Sequence, residues 1–263
     1  MPLRGIDVAS YQAGIDMTAV DGDFAICKAT GGVAYANPAF TSQMDGAASA
    51  GKLLGAYHFA REASCPGSAK DEAAWFLAKF APYIGRAIPV LDWEADATAL
   101  PVSWAREWLD RVADATGAQP WFYSYSSYIN SCSCADIAGY PLWVAAYYAG
   151  YDPMGYQDDP PLRGGTGAWE RATAYQYTST GRLAGWNGNL DLSTFYGTGA
   201  DWAAMCGGSE LTHEDKRDIA RLCAEEVLNR SLAVDGERKP VPFWQLASWA
   251  YRYFKGVDHG TDR

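Results

Sequence analysis

Four carboxylates stand where short apolar runs end. The tetrad Leu91-Asp92-Trp93-Glu94 closes the run Ile88-Pro89-Val90-Leu91; Asp7 lies in Gly5-Ile6-Asp7-Val8, and Asp191 in Asn189-Leu190-Asp191-Leu192. Residues i and i+2 of a strand point to the same face, so a strand through 88–93 sets Asp92 and Glu94 side by side. Like charges on a partly desolvated surface push one pKa upward, which keeps a Glu protonated as a general acid beside an ionised neighbour. Taken singly, each acid reads as a helix cap or a solvated surface group. Four at the ends of apolar strands favour carboxylate-based hydrolysis, the chemistry of glycosidases. A divalent metal could use the same acids, but the three histidines (His58, His213, His259) are scattered, so neither metal nor cofactor is expected.

The elements that must position these acids are legible as short apolar, β-branched or aromatic runs. Strands are expected near 5–9, 24–29, 54–59, 88–93, 121–124, 142–146, 173–177 and, weakly, 190–192. Ala- and charge-rich stretches of helical spacing lie between the first five, most clearly at 38–50, 69–80 and 102–116. Pro101 and Ser103 suit the start of the third helix and Gly117 its stop. Strand followed by helix, repeated, implies a parallel sheet, and about eight strands imply an α/β protein built as a β/α barrel. Its later connections, such as Asp158-Asp159-Pro160-Pro161 and Gly164-Gly165-Thr166-Gly167, look like loops, so helices are expected to be missing from the later half. Barrels of this kind place their chemistry at the C-terminal ends of the strands. Closure brings the first strand beside the eighth, so Asp7 and Asp191 can meet Asp92 and Glu94.

The chain has 263 residues, a formal charge of −10, and 11 Trp, 17 Tyr and 9 Phe. So acidic a chain is a poor match for nucleic acid, whose phosphates call for Lys and Arg. No apolar run reaches 18 residues, which excludes a membrane-spanning helix as the expectation. The start, Met1-Pro2-Leu3-Arg4-Gly5-Ile6-Asp7, has no apolar stretch of signal-peptide type, so synthesis in a cytoplasm without a signal peptide is expected. The cysteines show no Cys-x-x-Cys spacing. Cys132 and Cys134 are awkwardly close for a mutual bridge, so free thiols are expected.

Composition shifts after Trp202. Cys206-Gly207-Gly208-Ser209 reads as a linker, and two apolar stripes follow: Ile219, Leu222, Cys223 and Val227, then Phe243, Leu246, Ala247, Ala250, Tyr251 and Phe254. The expected organisation is a catalytic barrel over 1–205 and a small C-terminal helical hairpin within 206–263. The hairpin's crowded aromatics are more than a lone hairpin can bury, so some of that surface should meet a partner, and self-association is one reading. In the barrel, Tyr57, Phe59, Tyr123, Trp143 and Tyr147 fall near strand ends, and Gln176 offers an amide. Flat aromatic rings suit the apolar faces of sugars, although about half of such a set would serve as ordinary core. His58 alternates with Tyr57 and Phe59 and should face the other way, toward core or helix.

The ordered motifs also resemble a known family. Gly5-Ile6-Asp7-Val8-Ala9-Ser10-Tyr11-Gln12, Phe24-Ala25-Ile26-Cys27-Lys28-Ala29-Thr30, Gly55-Ala56-Tyr57-His58-Phe59 and Leu91-Asp92-Trp93-Glu94 are similar to successive signatures of glycoside hydrolase family 25. Tyr175-Gln176-Tyr177-Thr178-Ser179-Thr180-Gly181 and Gly188-Asn189-Leu190-Asp191 resemble its C-terminal signature. These are lysozymes (N-acetylmuramidases) of bacteriophages, bacteria and fungi, and the resemblance runs from about residue 3 to 198. It implies an irregular, flattened β/α barrel and hydrolysis of the β-1,4 bond between N-acetylmuramic acid and N-acetylglucosamine in bacterial peptidoglycan. It further implies Glu94 as general acid, Asp92 assisting at the anomeric side, and Asp7 and Asp191 lining the groove. A phage or prophage endolysin acting on the bacterial cell wall is the setting it suggests, and since such lysins often append a wall-binding module, it implies wall binding for residues 206–263 on a level with self-association. A chitinase-like barrel glycosidase and a catalytically silent wall-binding protein are the alternatives. The family often has Lys-Ala-Thr-Glu-Gly where this chain has Lys28-Ala29-Thr30-Gly31-Gly32, so one polar groove residue is expected to be absent.

Overall fold

Strands whose residues alternate between two apolar surroundings need cover on both faces, and a closed barrel wrapped by helices supplies it. The computed structural model describes residues 2–147 and 153–207. Its strands are β1 (Leu3–Val8), β2 (Phe24–Gly31), β3 (Tyr35–Ala36), β4 (Leu53–Phe59), β5 (Ala87–Asp92), β6 (Trp121–Tyr125), β7 (Leu142–Ala145), β8 (Ala174–Gly181) and β9 (Leu190–Phe195). They pair in the order β1-β9-β8-β7-β6-β5-β4-β2-β3, and an additional β1–β2 pairing closes eight of them into a barrel. The short β3 folds back antiparallel on the end of β2.

From β1 through β8 the barrel strands run parallel, as the strand–helix alternation predicts. The last strand corrects that expectation: β9 is antiparallel to both β8 and β1. Only a short connection separates β8 from β9, too short for the crossover that a parallel neighbour needs. The reversal carries Asp191, at the start of β9, to the same end of the barrel as the C-termini of the parallel strands.

Helices α1 (Phe40–Ser49), α2 (Ala69–Phe80) and α3 (Val102–Thr116) cover the outside. Their buried faces recur at helical spacing, with Ala69, Glu72, Ala73, Phe76, Leu77 and Phe80 on α2 and Ala105, Trp108, Leu109 and Val112 on α3. Pro101 precedes α3, and Gly117 closes it in the left-handed conformation, φ 66°. The first gap holds no α-helix, only a 3-10 turn over Ser10–Gln12. Later helices are short: α4 (Ser126–Ile129) and α5 (Gly199–Met205). No described helix is long and apolar enough to cross a membrane.

The barrel interior is apolar at its floor and polar at its mouth. Phe24, Ile26, Ile88, Val90, Trp121 and Phe195 fill the lower layers, and Trp202 of α5 plugs the end. The Trp202 ring lies 4.9 Å from Phe24, 5.1 Å from Trp121 and 5.2 Å from Phe195, and its Nε1 donates to the Leu54 carbonyl at 3.0 Å. Gly5 makes room for this packing, since a Cβ there would stand 2.3 Å from the Phe24 ring.

The thiol expectation holds for Cys27, Cys65 and Cys206 and is corrected for Cys132 and Cys134, which form a disulfide. The turn through Ser133 brings their Cα atoms to 5.3 Å, within reach of a bridge. The expected C-terminal hairpin lies outside the described residues.

Candidate active site

Strand alternation and barrel closure together bring the four acids to one end. Asp92 ends β5, flanked in register by Phe59 of β4 and Tyr123 of β6. The backbone stays extended through Glu94 (φ −146°, ψ −174°), so Glu94 shares the face of Asp92. Trp93 turns the opposite way into the outer core, its ring 5.5 Å from Trp104. Two bonds carry the ladder past the strand end: Trp93 N–H donates to the Tyr123 carbonyl at 2.9 Å, and Ser124 Oγ donates to the Trp93 carbonyl at 2.7 Å. The chain then turns sharply at Ala95, held at φ 48° in the left-handed region. On the far wall, Asp7 and Asp191 are direct register partners across the β1–β9 seam.

All ten residues singled out from the sequence line one cavity of about 430 Å³: Asp7, Asp92, Glu94 and Asp191 with Tyr57, Phe59, Tyr123, Trp143, Tyr147 and Gln176. Their roles differ in exposure. Trp143 and Tyr123 are buried, 2 % and 7 % exposed, their ring centroids 4.5 Å apart, so they build the wall. Tyr147 stands at the rim, 48 % exposed. Gln176 is an organiser: its Oε1 accepts the hydroxyls of Tyr123 (2.8 Å) and Tyr147, which leaves its Nε2 to donate to Asp7 Oδ2 at 2.7 Å. Two donors on the carbonyl side fix the amide's orientation.

Burial raises the pKa of every acid in this set. It pushes Asp7 well above the ordinary carboxylate range, as does the Asp191 charge, while the Gln176 hydrogen bond opposes. Burial and then the Glu94 charge push Asp92 up, against the pull of Lys28. Glu94 is raised by burial, again opposed by Lys28. Burial and Glu94 bring Asp191 to about 6. Groups so close titrate as a set, and near neutral pH the set retains protons that isolated carboxylates would have lost. Asp92 Oδ1 is buried and has no hydrogen-bond partner among the described residues.

His58 faces away from the groove, as its alternation predicts. It is buried beneath α2 and α3, with Nδ1 2.8 Å from Thr30 Oγ1 and Nε2 2.9 Å from Glu72 Oε2. Burial lowers its pKa. A neutral ring with its proton on Nε2 satisfies both contacts.

Other groove residues lie outside that set of ten: Tyr11, Gln12, Lys28 and Glu62 also line the cavity. Lys28 follows Phe24 and Ile26 in strand alternation, a signal that was available. Glu62 sits in the loop after β4, where no periodicity points inward. It corrects the expectation of a missing polar group beside Gly31: the Glu62 carboxylate occupies that place, 3.5 Å from Lys28 Nζ.

A family model for glycosyl hydrolases family 25 matches residues 6–186, well over half of the chain. The chain belongs to glycosyl hydrolases family 25. Among family-25 relatives, it is 30 % identical over 213 residues to the N,O-diacetylmuramidase of Chalaropsis sp, covering 72 % of this chain and 96 % of that one. It is 29 % identical over 225 residues to Lysozyme M1 of Streptomyces globisporus, covering 79 % of this chain and 72 % of the relative. The crystal structure of the bacterial lysozyme from Streptomyces coelicolor superimposes with a TM-score of 0.64 at 27 % identity, over 78 % of this chain and 97 % of that one. As a family-25 member the chain is a glycoside hydrolase, and its acid-lined mouth is the place where that chemistry has carboxylates to use.

Proposed function

We propose that this family-25 hydrolase is a muramidase, cleaving the β-1,4 bond between N-acetylmuramic acid and N-acetylglucosamine in bacterial peptidoglycan. The observation that carries the reading is the pairing of Asp92 and Glu94 on one face of the cavity, one with a buried, unpartnered oxygen and the other at the opening. Glu94 gives its proton to the leaving glycosidic oxygen. Asp92 Oδ1 accepts the N–H of the substrate's 2-acetamido group, whose carbonyl oxygen attacks the anomeric carbon as the glycosidic bond breaks. Water, deprotonated by Glu94, then opens the resulting ring and leaves the product with retained configuration. Asp7 and Asp191 hold the electrostatic surroundings of the pair, and the groove aromatics seat the sugar rings. The similarity to a muramidase and two lysozymes supports this substrate class.

Reducing-end analysis of digested peptidoglycan tests it. Muramic-acid ends are expected, with kcat reduced about 10²–10⁴-fold in Glu94→Gln. Glucosamine ends, or full activity in the variant, would overturn the assignment. A product of inverted configuration in time-resolved NMR would overturn the acetamido route.

We also propose the division into a catalytic unit over 1–205 and a C-terminal module over 206–263 that binds wall or associates with a second copy. Truncation after residue 208 separates these: loss of wall sedimentation at unchanged mass marks binding, and a fall from oligomer to monomer mass marks association. The setting we propose is that of a phage or prophage endolysin. Cells expressing the protein should then lyse only when a membrane-permeabilising protein is co-expressed.

A further inference from the structure

Among the described residues that line the cavity, the acids face a single cation, Lys28, and its ammonium is held from three sides. Nζ lies 3.5 Å from Glu62 Oε2, 4.5 Å from the centroid of the Phe59 ring and 5.1 Å from that of Tyr35. The two charged side chains are largely covered, 14 % exposed for Lys28 and 26 % for Glu62. An ammonium between two aromatic faces and a carboxylate has little freedom to swing away.

The local backbone explains why Glu62 reaches this place. The β2–β4 register slips between Lys28 and Thr30, so Thr30 pairs with His58 on the outer face and Gly31 comes opposite Phe59 at the groove. A Cβ at Gly31 would stand 2.9 Å from Glu62 Oε2, 3.1 Å from its Cβ and 3.4 Å from its Cγ. The Glu62 side chain fills the space that a side chain at 31 would take. The loop that carries it is anchored by the buried Glu72, which accepts Arg61 N–H at 2.9 Å and Gly67 N–H at 2.7 Å.

We propose that Glu62 is a positioning residue of the hydrolase site, fixing the Lys28 ammonium against the Asp92–Glu94 pair from the loop after β4. The proposal rests on the assignment of Glu94 as acid and Asp92 as its ionised partner. Lys28 draws both acids toward ionisation, and Glu62 offsets part of that charge while holding it in place. The other titratable groups around the groove are Asp7 from β1, Tyr11 from the turn after it, Tyr35 from β3, Tyr57 from β4, Tyr123 from β6, Asp191 from β9 and Tyr147 at the rim, with neutral His58 behind the wall.

The test is the pH profile of kcat/KM on solubilised glycan strands, measured with the full-length protein. Its two limbs report the apparent pKa values of the coupled Asp92–Glu94 pair, which must hold one proton between them for the reaction. In Glu62→Gln the Lys28 charge loses its counter-charge, so both limbs should move to lower pH by about half to one pH unit. In Lys28→Met both should move to higher pH. The transposed variant Gly31→Glu with Glu62→Gly regrows the carboxylate from the opposite side of the same space and should return the limbs to their original positions. Unmoved limbs with a uniform loss of rate in Glu62→Gln would overturn the proposal. So would a transposed variant of parental melting temperature whose limbs stay displaced. Failure of the underlying acid assignment shows separately, as activity surviving in Glu94→Gln.

Discussion

Asp191→Asn should make the protein more stable and less active, and the gain should depend on pH. Burial and the Glu94 charge bring the Asp191 carboxyl to about 6, against an ordinary 3.8. Below pH 3.8 the carboxyl is protonated folded or unfolded and exerts no effect. As pH rises toward 6 the unfolded chain releases this proton while the folded chain retains it. The native state therefore loses stability over that window, and the loss is complete above it. Each pH unit of the difference is worth about 1.4 kcal/mol, so the full penalty approaches about 3 kcal/mol. That is an upper bound, because the neighbouring acids adjust when one charge is removed. Asparagine keeps the shape and carries no charge. Urea unfolding followed by tryptophan fluorescence should show the variant up to about 3 kcal/mol more stable at pH 7.5 and equal to the parent at pH 3.5. Its kcat/KM at pH 6 should fall, the recurrent cost of relaxing a destabilised active site. A variant less stable at pH 7.5, or one displaced equally at both pH values, would refute the electrostatic account of the seam.

Gln176→Leu strands Asp7 Oδ2 and the Tyr123 hydroxyl without their partner, and should cost about 1–3 kcal/mol in thermal unfolding, with kcat/KM reduced more than tenfold. Trp202→Ala opens the barrel floor. It should lower stability by about 3–5 kcal/mol in denaturant, while the remaining folded protein keeps nearly its full kcat/KM. Ala95→Gly removes a side chain from a left-handed backbone position just after Glu94, and should raise the melting midpoint by the equivalent of up to about 1 kcal/mol.

Much of this site was legible because two periodicities determine it. Alternation places Asp92 and Glu94 on one face and Trp93 on the other, and the closure of eight strands makes the first and last neighbours. Helices α2 and α3 begin and end where the apolar spacing and Gly117 place them. The direction of β9 was not legible because the apolar run suggested that β8 ends at 177; its continuation through Thr178, Ser179 and Thr180 to Gly181 leaves a connection too short for a parallel crossover. Glu62 escaped for a related reason: it reaches the groove from a loop, and what directs it there is the register slip at Ala29 together with the empty space at Gly31. The Cys132–Cys134 bridge depends on a turn geometry that spacing alone does not reveal. Gln176 was picked for its amide, but only the two tyrosine hydroxyls on its oxygen explain which way it points.

The reversed strand β9 has a consequence for when the enzyme can work. Asp7 meets Asp191 only after residues Leu3–Phe195 have been made and the seam between β1 and β9 has formed. Barrel closure is the contact of greatest sequence separation in the catalytic unit, so it is the slowest to be reached by a growing chain. Without β9 the sheet from β1 to β8 lacks the strand that joins its two edges, and the groove is open on the Asp191 side. The acid-lined groove is therefore complete only once this last barrel strand is in place.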